Sequence, residues 1–356
     1  MGSRRIPVMV AAVVAAVVTA VLIATRGGDD GAAVRAEPFA RGPYLVAVGT
    51  GTARLRWIAP AGRTVTATAT APDGTAVRAV DGTFTGLRPD TAYRWTARAG
   101  DTTAAGTFTT APAALTGTLT FVAFGDYGAA TDGERAVAAT AVAQRPRFLI
   151  TTGDNSYLAA VPDLLDPNIF VPLRELMANA PNIGVVGDHD IAFPDGRRAL
   201  VEALEWPGGG DRFDWRYGPL QFIGLGLRGD PGDVPFLQRA LSRPGPSARF
   251  VVVHQPLKAG NPVLRALAGR PVAAVLSGHL HAYERRTSPD APGLPLLTVG
   301  TGGAPASEGN TPRSPDARVF IPPFGLLRVD VSPGRVAFRY LDADGTERDR
   351  LERALP

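Results

Sequence analysis

The stretch Leu276-Ser277-Gly278-His279-Leu280-His281-Ala282-Tyr283-Glu284-Arg285 holds two of the chain's four histidines, two residues apart. The others are His189, in Val185-Val186-Gly187-Asp188-His189-Asp190, and His254, at the end of Arg249-Phe250-Val251-Val252-Val253-His254. Each histidine follows an apolar, strand-like run, which is where α/β enzymes keep their chemistry. A His-x-His pair alone reads as two structural imidazoles satisfied by local hydrogen bonds. Two further runs change that reading. Phe121-Val122-Ala123-Phe124-Gly125-Asp126-Tyr127-Gly128 and Phe148-Leu149-Ile150-Thr151-Thr152-Gly153-Asp154-Asn155-Ser156-Tyr157 also carry apolar residues into Gly-Asp. Five strand ends thus deliver a carboxylate or an imidazole.

The chain has 356 residues, 45% hydrophobic and 20% charged, enough for two domains with sizeable cores. Its formal charge of +4 comes from scattered arginines with a single lysine, Lys258. Without a basic run or aromatic interleaving this is solvated surface with a mild pull on anions, and nucleic acid is not an expected partner. The chain contains no cysteine, which excludes disulfides, thiolate catalysis and cysteine-ligated zinc. A metal site must then use oxygen and imidazole, which suit iron, manganese and zinc.

Arg4 and Arg5 precede Ile6 to Thr25, an uncharged run rich in Ala and Val. It is long enough to cross a bilayer, so residues 1–26 are expected to be a signal anchor, or a signal peptide cleaved near Val34-Arg35-Ala36, with the remainder facing outward. The expected location is extracytoplasmic, at the cell membrane or secreted. Residues 27–37 read as a linker. From there alternation begins: Ala53 to Ile58, Val65 to Thr70 and Tyr93 to Arg98 read as half-buried strands of a small β-sandwich over 38–112. This part has no histidine and no acidic cluster, and is assigned packing or adhesion. From Thr118 onward strands alternate with helical stretches at Thr131 to Arg145, Val171 to Ala180 and Pro235 to Ser242, and Phe324 to Leu341 closes as a hairpin about Ser332-Pro333-Gly334. The expected fold class is α/β (α+β): mixed β-sheets flanked by helices over 118–356, preceded by the all-β sandwich.

Asp126, Asp154, Tyr157, Asp188, His254, His279 and His281 are hard or borderline ligands, and Asp154 can bridge two ions through its two oxygens. Two metals roughly 3.5 to 4 Å apart clamp a phosphoryl group and acidify a bound water. His189 is left to protonate a departing alkoxide, with Asp190 orienting its ring. Asn155 and Tyr283 are candidates for substrate contact, or else for closing their own loops. Gly300-Thr301-Gly302-Gly303 is either a phosphate cradle or a glycine turn near the metals.

Gly-Asp-x-Gly, Gly-Asp-x-x-Tyr, Gly-Asp-His-Asp, Val-x-x-His and Gly-His-x-His, in this order, resemble the calcineurin-like metallophosphoesterases. Tyr157, together with His279 to Arg285, narrows the resemblance to the purple acid phosphatases, which carry a fibronectin type III-like domain before the catalytic one. Thr85 to Tyr93 resembles the tyrosine-corner strand entry of such domains. The resemblance covers about residues 38–356. It implies Asp126, Tyr157 and His281 on a ferric ion, and His254, His279 and Asp188 on a divalent iron, zinc or manganese, with Asp154 shared. It also implies hydrolysis of phosphate monoesters through a metal-bound hydroxide. Asp188 departs from the family, which has asparagine there. Two alternatives therefore stay open, a phosphodiesterase on the same site and a non-catalytic metal-binding surface protein.

Overall fold

The computed structural model describes residues 39–59, 61–210, 212–305, 313–322 and 324–355. The expected signal segment and linker lie outside them. Residues 38–356 form one compact unit. Among the described residues no helix is long and apolar enough to cross a membrane.

Seven strands come first: β1 (Arg41–Val48), β2 (Thr52–Ile58), β3 (Val65–Thr70), β4 (Ala76–Arg78), β5 (Thr83–Thr85), β6 (Ala92–Ala99) and β7 (Thr102–Thr109). They form two antiparallel sheets, ordered β1-β2-β5 and β4-β3-β6-β7. In β6 the buried residues Tyr93, Trp95, Ala97 and Ala99 alternate with more exposed ones, as one buried face requires. The Tyr93 hydroxyl accepts the backbone N–H of Arg88 at 3.0 Å. Specific bonds tie these sheets to the larger part of the molecule: Trp95 Nε1 donates to the Ala178 carbonyl at 2.8 Å, and Arg41 forms a two-pronged pair with Asp166 at 2.6 and 2.8 Å.

The remaining elements are β8 (Leu119–Phe124), α1 (Asp132–Ala143), β9 (Leu149–Thr151), α2 (Pro162–Leu165), α3 (Arg174–Asn179), β10 (Asn182–Gly184), α4 (Gly196–Leu204), β11 (Phe213–Tyr217), β12 (Leu220–Gly224), α5 (Val234–Leu241), β13 (Ala248–Val252), α6 (Pro262–Leu267), β14 (Ala274–Ser277), β15 (Tyr283–Ser288), β16 (Ala291–Val299), β17 (Ala317–Ile321), β18 (Gly325–Ser332), β19 (Arg335–Asp342) and β20 (Glu347–Ala354). A π turn over Asp166–Phe170 continues α2. Two mixed sheets result, ordered β10-β9-β8-β18-β19-β20 and β11-β12-β13-β14-β16-β15-β17.

Phenylalanines join the two sheets. Phe121 on β8 meets Phe222 on β12 and Phe250 on β13 edge-on, each at 5.2 Å between ring centroids, and all three are fully buried. Aromatic burial at this scale dominates core energetics, and removing one such ring costs roughly 3–5 kcal/mol. This sheet-on-sheet core with flanking helices is the expected fold class. Several elements were not named in the sequence reading, β20, α4 and α6 among them. β20 alternates charged residues with little apolar content because it is the outer strand of its sheet, and α6 has only six residues, too few for its periodicity to stand out.

Parallel pairing sets the chemistry at one edge. β8, β9 and β10 run parallel in one sheet, and β12, β13 and β14 in the other. Their carboxyl ends carry Asp126, Asp154, Asp188, His254 and His279.

Candidate metal centre

The loops after these strands place their side chains within a few ångströms of one another. Asp154 is central. On one side, the Tyr157 hydroxyl lies 3.2 Å from Asp154 Oδ2, 3.3 Å from Asp126 Oδ1 and 2.9 Å from His281 Nε2. His281 Nε2 is in turn 3.5 Å from Asp126 Oδ1. On the other side, His254 Nε2 lies 3.5 Å from Asp154 Oδ1 and 3.0 Å from Asp188 Oδ1, which is also 3.0 Å from His279 Nδ1. One ligand atom from each of Asp154, Asp188, His254 and His279 falls within 4.8 Å of the others. Ligands held about 2.1 Å from an ion stand about 3.0–3.4 Å apart at the corners of its polyhedron. The separations in both groups match that spacing, and the groups share Asp154.

Backbone strain accompanies the cluster. Asp126, Asp154 and His279 have φ of 57°, 49° and 69°, in the left-handed region that side chains other than glycine's seldom occupy. Such strain persists where surrounding bonds over-determine it, and it concentrates at functional sites. Here the His279 N–H donates to both Asp126 oxygens, at 3.0 and 2.8 Å, and the His189 N–H donates to Asp154 Oδ1 at 2.9 Å. Glycine is required at two neighbouring positions. A Cβ on Gly153, whose φ is 102°, would lie 2.3 Å from His254 Nδ1, and one on Gly187 would lie 2.1 Å from Asp154 Oδ1.

Two imidazoles are oriented by backbone carbonyls: His254 Nδ1 lies 2.8 Å from the Thr152 oxygen and His281 Nδ1 2.7 Å from that of Pro305. A proton held at Nδ1 leaves the Nε2 lone pair aimed into the cluster, the usual arrangement around a metal-bound histidine. Sequence reasoning had no access to Thr152 and Pro305 in this role, because a carbonyl carries no side-chain signal.

The electrostatics call for a cation. Asp126 and His254 are fully buried and Asp154 nearly so. Burial raises the Asp154 pKa, and the Asp126 and Asp188 charges add to it against the pull of His254. Burial also pushes the Tyr157 hydroxyl far above its usual range, with Asp126 and Asp154 adding to the effect. Burial pulls His254 down, but Asp188, Asp126, Asp154 and the Thr152 carbonyl outweigh it and bring it up to about 9. Hydrogen bonds from His254 and His279 hold Asp188 far below the carboxylate range. Two buried carboxylates, Asp126 and Asp154, with Asp188 at the open side, draw positive charge into the cluster, a need that a metal cation would meet with the imidazoles neutral. Asp154, Asp188, His254 and His279 fit a metal ion on chemistry and on spacing.

The cluster has a closed and an open side. Asp188 and His279 are each more than a third exposed, at 39% and 37% of their side chains, and His189 is half-buried beside them. The His189 ring packs against Tyr157 at 4.3 Å between centroids. Asp190 lies beneath, fully buried, and accepts bonds from the Asn155 backbone (2.9 Å), the Asn155 side chain (2.7 Å), Ser156 N (3.1 Å) and Gly187 N (2.7 Å). Its partners are thus the two loops that carry Asp154 and Asp188, and none of these bonds reaches the His189 ring.

The two expected substrate contacts have other partners. Asn155 is fully buried, with its amide on Val185 O and Asp190. Tyr283 is buried on β15 and donates to Asp349 Oδ2 at 2.8 Å. Asn155 thus joins two loops, and Tyr283 ties β15 to β20. The Gly300–Gly303 segment lies against the cluster as a close-packed turn: a Cβ on Gly300 would stand 2.9 Å from Asp126 Oδ2.

No family model matches the chain, and no curated protein matches it in sequence. Solved structures do. The purple acid phosphatase isolated from yellow lupin (Lupinus luteus) seeds superposes with a TM-score of 0.73 at 14% identity, over 89% of this chain and 75% of that one. A structure of PhoD gives 0.65 at 13% identity, over 91% and 90%. GAP50, the anchor in the inner membrane complex of Plasmodium, gives 0.53 at 15% identity, over 67% and 90%. At these identities the likeness is one of fold: the chain shares its fold with these three structures.

Proposed function

We propose that the chain is an exported phosphatase that hydrolyses phosphate monoesters on a dinuclear centre. Asp126, Tyr157 and His281 would hold a ferric ion, His254, His279 and Asp188 a divalent iron, zinc or manganese, and Asp154 would serve both. The observation that carries this reading is the junction of two ligand-spaced groups at the Asp154 carboxylate, whose Oδ2 faces Tyr157 and whose Oδ1 faces His254. Two ions held there would supply Lewis acidity toward the phosphoryl oxygens and acidify a bound water.

The chain's own residues do the rest. His189, half-exposed and braced on Tyr157, is proposed to protonate the departing alcohol oxygen from an imidazole N–H as its bond to phosphorus breaks. Asp190 keeps the loop of His189 in register with that of Asp154 by joining both through four hydrogen bonds. The buried side, built by Asp126, Asp154 and His254, excludes water from behind the ions. The sandwich of β1 to β7 is proposed to be a fibronectin type III-like module with a packing role, and Ile6 to Thr25 to place the protein at or beyond the cell membrane.

The second reading is a non-catalytic metal-binding surface protein. It is favoured by Asp188, whose carboxylate occupies the open side where an incoming phosphate would meet a negative charge. One experiment separates the two. The full chain, loaded with iron plus zinc or manganese, is assayed on an aryl phosphate monoester and on the matching diester, with Asp154→Asn as blank. Metal-dependent monoester cleavage lost in the blank supports the phosphatase; diester cleavage alone moves the assignment to a phosphodiesterase. Metal binding without cleavage of either ester rejects both in favour of the surface protein.

A further inference from the structure

Apart from the candidate metal ligands, the described surface carries two adjoining grooves of about 450 and 500 Å3, which meet at Pro292 and Arg353. Both volumes fall within the range of small-molecule sites, roughly 300–1,000 Å3. The first is lined by Arg270 and Arg353 among apolar residues, and the second by Arg285, Arg286, Arg318 and Arg353 with Thr287 and Ser288. No carboxylate lines either groove among the described residues.

Two of these guanidiniums have counter-charges nearby. Arg285 is paired with Asp349 at 2.8 Å, and Arg286 lies 3.4 Å from both Glu284 and Asp316. Arg353 does not share this arrangement. It is partly buried, and its NH1 donates to the carbonyls of Ala273 (2.5 Å) and Val272 (3.4 Å). Burial alone moves its pKa, downward, with no carboxylate opposing. A charge taken partly out of water without an opposite charge is costly unless an anion completes the site. Arg318 stands exposed on β17 at the edge of the same groove.

The topology separates this place from the metals. β14 and β16 run parallel. His279 follows the carboxyl end of β14, whereas the grooves are lined by Val272 and Ala273 just before β14 and by Ala291 and Pro292 at the start of β16. The nine residues of β16 put about 26 Å between its two ends; the first groove starts at the far end, and the second reaches along β15 to Arg285, which pairs with Leu297.

We propose that these joined grooves bind an oligophosphate, an anion of two or more linked phosphate groups, at a site distinct from the metal centre. Guanidinium forks match phosphate oxygens two at a time, and they lie on both sides of the junction at Arg353, which suits linked phosphates better than one.

The test uses the full metal-loaded chain and methylenediphosphonate, which carries two phosphate-like groups and resists hydrolysis. Calorimetric titration is run at low salt on the wild type, on Arg318→Ala/Arg353→Ala and on Asp154→Asn. The expected result is a binding event that survives in Asp154→Asn and weakens at least about ten-fold in the double arginine variant, while that variant keeps the wild-type far-ultraviolet circular dichroism and metal content. Arg318→Glu, an exposed change that leaves Arg353 on its carbonyls, is expected to weaken the same event. Absence of binding to the wild type, binding lost only in Asp154→Asn, or equal binding by Arg318→Glu would each overturn the proposal. The outcome is independent of whether any ester is cleaved.

Discussion

The backbone N–H of His189 donates to Oδ1 of Asp154 at 2.9 Å, so the carboxylate shared by both ligand groups also fixes the loop that carries the candidate proton donor. The candidate metal site and the proposed acid are thereby one mechanical unit, joined again below by Asp190. Disturbance of Asp154 should be felt at His189, and the reverse.

Gly187 tests this unit from the backbone. A Cβ there would lie 2.1 Å from Asp154 Oδ1 and 2.2 Å from Asp154 N, so Gly187→Ala must push the carboxylate aside. The expected outcome is loss of most bound metal, measured by elemental analysis, with far-ultraviolet circular dichroism unchanged. Full metal content would show that Asp154 is not held where the structure places it.

Asp190→Asn should destabilise the fold. The carboxylate accepts four bonds inside the protein, and an amide can accept only through its one oxygen while its NH2 faces donors. Buried donors left unpaired cost about 1–3 kcal/mol each. A drop of at least about 2 kcal/mol in chemical denaturation is therefore expected, together with a lower kcat as the His189 loop loosens.

Asp188→Asn should raise turnover. The open-side carboxylate repels an incoming phosphate, and an amide oxygen can still serve as a ligand without the charge. The expected result is a higher kcat/KM on the aryl monoester with metal retained; an unchanged or lower value counts against the proposed role of Asp188.

Glu134, which accepts bonds from the Ala129 and Ala130 amides, gives stability a pH dependence of its own. Burial raises its pKa from 4.5 to about 9, against the pull of the Ala130 and Ala129 amides. The folded state holds this proton above the pH at which the unfolded chain releases it, so the stabilisation is complete below the ordinary glutamate pKa and is lost as pH rises toward about 9. Glu134→Gln should flatten that decline, read as melting temperature against pH.

The sequence exposed the chemistry more fully than the scaffold. Gly-Asp and Gly-His at strand ends were legible because a glycine before a ligand leaves room for a neighbouring side chain, as Gly153 does for His254. The strands behind them were legible as unbroken apolar runs because both faces are covered. The roles of Asn155, Tyr283 and Asp190 were not. Which way a polar side chain in a turn points depends on tertiary partners such as Asp349, distant in sequence from Tyr283. β20 was equally hidden, since an edge strand that alternates charges looks like a solvated tail.

If Asp154 belongs to two ion sites at once, its removal must disturb both. This is measured by the metal content and visible absorption of the full chain reconstituted with iron and zinc, for the wild type and for Asp154→Asn. Two ions per wild-type chain are expected, with a Tyr157-to-iron charge-transfer band, and both the band and the second ion should be lost in the variant. Retention of both ions and the band in Asp154→Asn would refute the shared site.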